Sequence, residues 1–362
     1  MNEIQLKEQK LIKRLTNKTF KFDERIASGF YAANYFLKVN RIIKENLPSQ
    51  SVTMQFFQRK DDIMLCGIDE SIALVKEFGK NLENLEISAL NDGDIISSGE
   101  PVLKIKGSYE NFGYLENIID ATLSRRSCVA TNTMKAIKAA NTKTVFSMAD
   151  RADDISTQIG DGYASYVAGI RKISTDAQGL WWGGKGFGTM PHALIQMCGG
   201  DILKACEIYT KTFPNDQLTA LVDYNNDVVV DAIKVAKTFG KRLGAVRVDT
   251  SKNLIDKYFL NKDTSGFDPH GVCKELIFAL RENLDKNGHT HVKIVVSSGF
   301  TPEKIAEFEA YGTPVDIYGV GAYLTKNDTC SFTADLVELN GKPQAKFGRG
   351  EIGSDRLELV KF

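Results

Sequence analysis

The stretch VKIVVSSGFTPEKIAEF, Val292 to Phe308, reads as a buried strand, a tight turn and a helix in direct succession. Its apolar run ends in Ser-Ser-Gly. Thr301 then stands where a helix cap belongs, and Pro302 falls in the first turn, where a residue without an N–H is tolerated. Working outward, the same alternation recurs in TVFSMA (Thr144 to Ala149), LTALVDY (Leu218 to Tyr224), GAVRVD (Gly244 to Asp249) and PVDIYGVG (Pro314 to Gly321), each followed by a turn and usually a helical stretch. Short apolar strands alternating with helices are the sequence form of repeated βα units around a parallel sheet. Five or more such units favour an α/β fold of the βα-barrel type over an open sheet.

The chain ahead of these units has a different texture. Phe30 to Ile43 reads as an amphipathic helix and Ser51 to Phe57 as a short strand. LEISAL, NDGD and IISSGEPVLKIKG, Leu85 to Gly107, read as strand, turn and strand, which suggests a small half-open sheet. Tyr114 to Ala140 is apolar at helical spacing and is expected to cross into a second domain. The final stretch returns to hairpin-like strands around Asn340-Gly341, a turn pair suited to two-residue hairpins, and is expected to rejoin the amino-terminal sheet. The organisation expected is an amino-terminal domain over residues 1–130, a βα barrel over 131–328 and returning strands over 329–362.

Composition narrows the function. With 46 Lys plus Arg against 46 Asp plus Glu, and no local concentration of one sign, bulk charge supports neither a nucleic-acid nor a membrane partner. Phosphate binding must then be local. The charged amino terminus MNEIQLKEQKLIKRL lacks the apolar core of a secretion signal, and no apolar run reaches membrane-spanning length, so a cytoplasmic protein is expected. The six cysteines contain no C-x-x-C pair, which argues against a zinc knuckle or a disulfide framework and for buried apolar fillers.

In βα barrels the reactive groups sit at the carboxyl ends of strands. Those ends are Asp150 and Arg151, Asp223, Asp249, Ser297 and Ser298, and Gly319 to Gly321. The densest signal lies elsewhere, in GLWWGGKGFGTMPHAL, Gly179 to Leu194. Glycines at 183, 184, 186 and 188 let a backbone approach a ligand closely, Thr189 adds a hydroxyl, and His192 adds a titratable imidazole. The same stretch nearly matches a P-loop but has Gly186 where a magnesium-binding Ser or Thr would stand. Ser298 and Gly299, ahead of a capped helix, form a ready anion turn, and Gly319 and Gly321 repeat the arrangement one βα unit later. Arg247 and Asp249 alternate with valines and so share one side of a strand, either serving a ligand or forming a structural ion pair. Arg151 offers a guanidinium to phosphate or carboxylate, or else is an ordinary surface arginine.

Taken together, GTMPHAL, RVDTSKN, SSGFTPEKI with YGVGAYL, and LEISALNDGDIISSGEPVLKIKG followed by LENIIDATLSRRSCVAT resemble, in order and spacing, the nicotinate phosphoribosyltransferases, in particular their shorter bacterial and archaeal branch. The similarity runs from about Phe22 to Leu324. It implies an α/β fold with an amino-terminal sandwich-like domain, an incomplete TIM-like βα barrel, and active sites shared within a homodimer or larger even homo-oligomer. It also implies a reaction that joins nicotinate to phosphoribosyl pyrophosphate (PRPP), with magnesium as cofactor and ATP as co-substrate. On this resemblance His192 is the histidine phosphorylated by ATP, Thr189 lies beside the nicotinate, Arg247 receives its carboxylate, and Tyr35 stacks on its ring. Arg151 binds phosphate, Ser298, Gly299, Gly319 and Gly321 hold the ribose 5-phosphate, and Asp223 and Asp249 lie near the ribosyl charge.

There are departures from the pattern. Asn34 stands where aspartate is common, Asp150 and Asp153 stand where an arginine and a histidine often flank Arg151, and Ala322 replaces a frequent Thr or Ser. A quinolinate-specific relative usually carries an arginine where this chain has Asn117, so a second substrate carboxylate lacks its cation. A non-catalytic phosphoribosyl or nucleotide sensor is the other alternative, and the retention of His192, Arg247 and Asp249 speaks against it.

Overall fold

Ser51–Phe57 (β1) is buried along nearly its whole length, so both its edges need partners. In the computed structural model, which describes residues 13–361, it has both: Leu103–Ser108 (β5) on one side and a strand from the far end of the chain on the other. Most of the amino-terminal segment read above for a secretion signal lies outside the described residues. Between β1 and β5 come Ile63–Met64 (β2), Glu86–Ala89 (β3) and Ile95–Ile96 (β4), so the Leu85–Gly107 stretch forms strands as expected, with β2 and β4 as a separate pair. Alternate residues Ile87, Leu103 and Ile105 are fully buried, and they join Phe56, Leu115, Ile119 and Leu123 in one core.

The chain then supplies Thr144–Ser147 (β6), Lys172–Ile173 (β7), Leu218–Leu221 (β8), Leu243–Val248 (β9), Lys293–Val296 (β10) and Ile317–Val320 (β11). All pair in parallel, in the order β7-β6-β11-β10-β9-β8. The end strands β7 and β8 do not pair with each other, so the sheet is a curled half-barrel and the expected incompleteness is borne out. Its strands are near-continuous buried runs, such as Ile294 to Val296 and Tyr318 to Val320, as parallel sheets covered on both faces require.

Thr333–Leu339 (β12), Lys342–Pro343 (β13) and Glu358–Leu359 (β14) return to the first sheet, whose order is β13-β12-β1-β5-β3-β14. The hairpin between β12 and β13 turns on Asn340 and Gly341, both at positive φ (50° and 76°). The carboxyl-terminal strands therefore rejoin the amino-terminal sheet as expected.

The division into units differs from the expected boundaries in one respect. The first unit runs to Met134 and also takes Ile159–Gly169 and the chain from Thr325 on, while the second holds Lys135–Gln158 and Ile170–Leu324. The added segment is claimed by charge. Asp161 accepts hydrogen bonds from Arg125 Nε (3.0 Å) and Nη2 (2.6 Å) and pairs with Arg126 Nη1 at 3.3 Å, and both arginines lie on the helix Glu116–Ala139. A carboxylate buried beside two guanidiniums is costly to separate from them.

Two cysteines also differ from expectation. Cys128 and Cys330 lie with sulfurs 3.6 Å apart, and the Cys330 N–H donates to the Cys128 sulfur at 3.2 Å. These bonds pull the Cys128 thiol down to about 6, so this pair is hydrogen-bonded and not simply apolar filling.

Glu116 and Asp120 stand one turn apart on the long helix, and burial pushes their carboxyls up to about 8 and about 7. In an unfolded chain both titrate near ~4. Between these values the folded chain holds protons that the unfolded chain has released, so their contribution to stability is full below pH ~4 and is lost as pH rises through about 7 to 8. The unfolding free energy from urea titrations should therefore fall from pH 5.5 to 8.5 by roughly 1–3 kcal/mol, allowing for the solvent that reaches both groups. The double variant Glu116→Gln with Asp120→Asn should flatten this slope, and an unchanged slope would refute the assignment.

Candidate active site

The carboxyl ends of β8, β9 and β10 bring four of the polar residues together. Arg247 is the penultimate residue of β9, paired in register with Leu221 of β8 and Val295 of β10. Asp249 follows one residue past β9 and Ser297 one residue past β10, where the Ser297 N–H donates to Val248 O at 3.0 Å. Arg247 Nε donates to Ser297 Oγ (3.0 Å), Arg247 Nη2 to Asp249 Oδ2 (3.0 Å), and Ser297 Oγ to Asp249 Oδ1 (2.6 Å). The three side chains close a ring. Both carboxylate oxygens of Asp249 are occupied, while Nη1 of Arg247 and one N–H of Nη2 have no partner in the ring.

A second pair stands at the end of β8. His192 opens the short helix His192–Met197 after Pro191, and its Nε2 lies 3.0 Å from Asp223 Oδ2. The Asp223 side chain is 6% exposed against 43% for His192, so the carboxylate is the buried anchor and the imidazole the accessible group. Burial raises the Asp223 pKa, His192 opposes the rise, and the negative charge of Asp249 adds to it. The field of Asp249 at Asp223 ties the two pairs into one electrostatic site. Asp223 Oδ1 is buried without a hydrogen-bond partner, an uncommon cost that an incoming donor or cation would relieve.

The turn after β10 carries Ser298 and Gly299 at φ of 77° and 72°. A positive φ is strained for serine, and the turn leads directly into the amino terminus of the next helix, where backbone N–H groups favour an anion. Thr301 caps the following helix Pro302–Ala310 by accepting from Lys304 N–H, as expected. The neighbouring glycines have packing reasons of their own. A Cβ on Gly319 would meet Met148 Cε at 2.6 Å and Ser297 Cβ at 3.1 Å, and one on Gly321 would meet Met148 O at 3.1 Å.

Other sequence-picked residues do not join this cluster. The glycine-rich stretch is only partly open: a Cβ on Gly184 would strike Trp182, and one on Gly186 would strike the Thr175–Asp176 backbone, whereas Gly183 and Gly188 face open space. The expected cradle of four glycines is thus two open positions, the others being taken up by packing. Thr189 lies at its end, partly buried. Arg151, past β6, is exposed and pairs with no side chain among the described residues, while the adjacent Asp150 Oδ1 accepts from the Ser174 hydroxyl at 2.8 Å.

Tyr35 belongs to the first unit, on the helix Asn34–Asn46, and is 62% exposed, its ring against Phe36. Sequence reading missed what Asn117 does there. Its Oδ1 accepts from Ala33 N–H (3.1 Å) and its Nδ2 donates to Tyr31 O (3.0 Å), so the amide braces the turn that starts the helix of Tyr35. An arginine at this position has no acceptor for the Ala33 N–H and would forfeit that bond.

A half-barrel with its polar groups at the strand carboxyl ends, joined to a sheet completed by the last strands, is the fold of the nicotinate and quinolinate phosphoribosyltransferases. The family described as "Quinolinate phosphoribosyl transferase, N-terminal domain" matches residues 34–127. The nicotinate-nucleotide pyrophosphorylase of Pyrococcus furiosus superposes with a TM-score of 0.78 at 28% identity, over 96% of this chain and 86% of that one. Human nicotinic acid phosphoribosyltransferase shares the fold at a TM-score of 0.64 and 17% identity, over 86% of this chain and 75% of that one.

Within that class the resemblance to nicotinate phosphoribosyltransferases is borne out in sequence. A nicotinate phosphoribosyltransferase of Mycobacterium tuberculosis is 25% identical over 269 residues, 72% of this chain and 55% of the relative. The chain thus spans about half the length of the curated relatives it matches. Among the described residues no helix is long and apolar enough to cross a membrane.

Proposed function

We propose that the chain is a nicotinate phosphoribosyltransferase of NAD salvage, joining the pyridine nitrogen of nicotinate to C1 of PRPP with release of pyrophosphate. The observation that carries this reading is the ring of Arg247, Ser297 and Asp249, which presents a fixed guanidinium edge beside two carboxylates at the strand ends. A guanidinium edge matches a substrate carboxylate. The pyridine nitrogen is already nucleophilic, so no base is required of the protein. As the C1–oxygen bond to pyrophosphate breaks, positive charge develops on the ribose, and Asp223 and Asp249 stabilise it electrostatically.

Magnesium is commonly held by one or two carboxylates together with substrate phosphates. Asp223 fits that role, since its Oδ1 lacks a partner. When bound, the ion neutralises the diphosphate as it leaves. Arg151, Ser298, Gly299, Gly319 and Gly321 take the phosphates of PRPP in this reading, and Thr189 lies beside the nicotinate.

His192 couples ATP to the reaction. With Nε2 held by Asp223, the lone pair of Nδ1 attacks the γ-phosphorus, the bond to ADP breaks, and hydrolysis of the phosphoimidazole later releases phosphate. The assay that tests the whole reading is synthesis of nicotinate mononucleotide from nicotinate, PRPP and magnesium, with and without ATP. Absence of product under both conditions would end it. Quinolinate as acceptor is kept as a second reading because the matching family carries that name. Release of carbon dioxide from quinolinate would establish it.

The exposed Tyr35 offers an aromatic face that a second copy of the chain can cover, in a homodimer or larger even assembly whose sites take Tyr35 from a neighbour. Mixing inactive Tyr35→Ala protein with inactive Arg247→Ala protein should then restore part of the activity through hybrid sites. A fully active monomer in sedimentation would rule the arrangement out.

A further inference from the structure

We infer that Ser297 is a positioning residue that fixes the guanidinium plane of Arg247 and thereby sets the preference of the site for a carboxylate over a neutral amide; this rests on the acceptor reading given above. Ser297 is 3% exposed and its one hydroxyl proton has a defined destination. At 2.6 Å from Asp249 Oδ1, the hydroxyl donates to the carboxylate, a short charge-assisted bond. That leaves its lone pairs to accept Arg247 Nε–H at 3.0 Å. The polarity of the ring is therefore fixed, with protons running from arginine to serine to aspartate and from arginine to aspartate directly.

Fixing Nε and one Nη2 proton locks rotation about the end of the arginine side chain. One Nη1 proton and the other Nη2 proton remain, parallel on the end edge of the guanidinium, the pattern that grips a carboxylate through two parallel bonds. A neutral amide presents only one acceptor to that edge and gains less. Without the serine, Arg247 keeps its ion pair with Asp249 but can swing about it, and ligand binding must then restore the lost order.

The neighbouring strand packs close to this arrangement. A Cβ on Gly319 of β11 would meet Met148 Cε at 2.6 Å and Ser297 Cβ at 3.1 Å, so a side chain there would press on both.

The test compares wild type, Ser297→Ala and Ser297→Thr with nicotinate and nicotinamide as acceptors. The alanine variant should raise KM for nicotinate about tenfold or more, as expected for one hydrogen bond to a charged group. Its kcat and its KM for PRPP should stay within about threefold of wild type. Its discrimination between nicotinate and nicotinamide should shrink by the same factor as the nicotinate KM rises, and threonine, which keeps the hydroxyl, should restore both. An unchanged nicotinate KM in the alanine variant, or an equal rise for PRPP, overturns the inference.

A second measurement does not depend on turnover. The Arg247 Nε–H should give a proton resonance protected from exchange, assigned by its loss in Arg247→Lys and absent in Ser297→Ala. If wild-type protein makes no nicotinate mononucleotide yet shows this protected signal, the acceptor reading fails and the positioning role stands. If the protein is active but the signal exchanges freely, the positioning role fails alone.

Discussion

If Arg247 receives the acceptor carboxylate as proposed, Arg247→Ala should weaken nicotinate use by on the order of a hundredfold or more, while KM for PRPP should change much less. Removing one member of a desolvated, hydrogen-bonded charge pair typically costs about 3–5 kcal/mol, and each ~1.4 kcal/mol is a factor of ten. The substitution removes the carboxylate's partner and also strips Asp249 of its own, because Nη2 is 3.0 Å from Asp249 Oδ2. Arg247→Lys separates the two effects. It keeps the charge but loses the planar fork, so it should recover stability more fully than nicotinate affinity. Steady-state kinetics with each substrate varied in turn, together with thermal melts, decide the matter. A nicotinate KM near wild type in the alanine variant would sink the assignment.

If His192 has the coupling role proposed above, His192→Ala should abolish ATP stimulation and leave some ATP-independent synthesis, because in that role the imidazole takes no part in forming the glycosidic bond. The structure adds a further expectation. Among the described residues Asp223 is the only hydrogen-bond partner of the imidazole, so Asp223→Asn should also depress phosphorylation while leaving the ring in place. Phosphohistidine formed from labelled ATP, measured on acid-labile protein-bound phosphate, reads both variants. Full ATP stimulation in the His192 variant, or no labelled histidine in wild type, contradicts the role.

The sequence showed strands wherever burial on both faces left a continuous apolar run. TVFSMA, LTALVDY, GAVRVD, VKIVVSSG and PVDIYGVG all hold strands of the half-barrel. The pairing of Arg247 with Asp249 was also legible, since alternation alone puts them on one side. Ser297 as the link between them was not. That depends on the register of β9 against β10, which sets Val296 beside Val248, and register is a property of two strands that neither one spells out.

The glycines misled for a related reason. A glycine needed to pass another backbone reads the same as one needed to admit a ligand, and only the filled space next to Gly184 and Gly186 tells them apart. Asn117 was legible only as the absence of an arginine. Its bonds to Ala33 and Tyr31 span 84 and 86 residues, beyond any local pattern. Cys128 and Cys330, dispersed along the chain, meet across 202 residues for the same reason.

The return of β12 to β1 has a consequence for how the protein is made. Ser51 N–H donates to the Asn340 side chain across 289 residues, so the first sheet cannot close until residue 340 has left the ribosome. At roughly 5–20 residues per second, β1 waits on the order of tens of seconds with one edge bare. The residues of β6 to β11 all emerge in that interval and can form their parallel sheet meanwhile. Of the two units, the one that holds β1 is therefore finished after the half-barrel. Nascent chains stalled once residue 324 has cleared the exit tunnel should resist protease across the half-barrel and be cut near β1, and equal protection of both would contradict this order. During that wait β1, buried in the finished sheet, is the segment that a chaperone would be needed to shield.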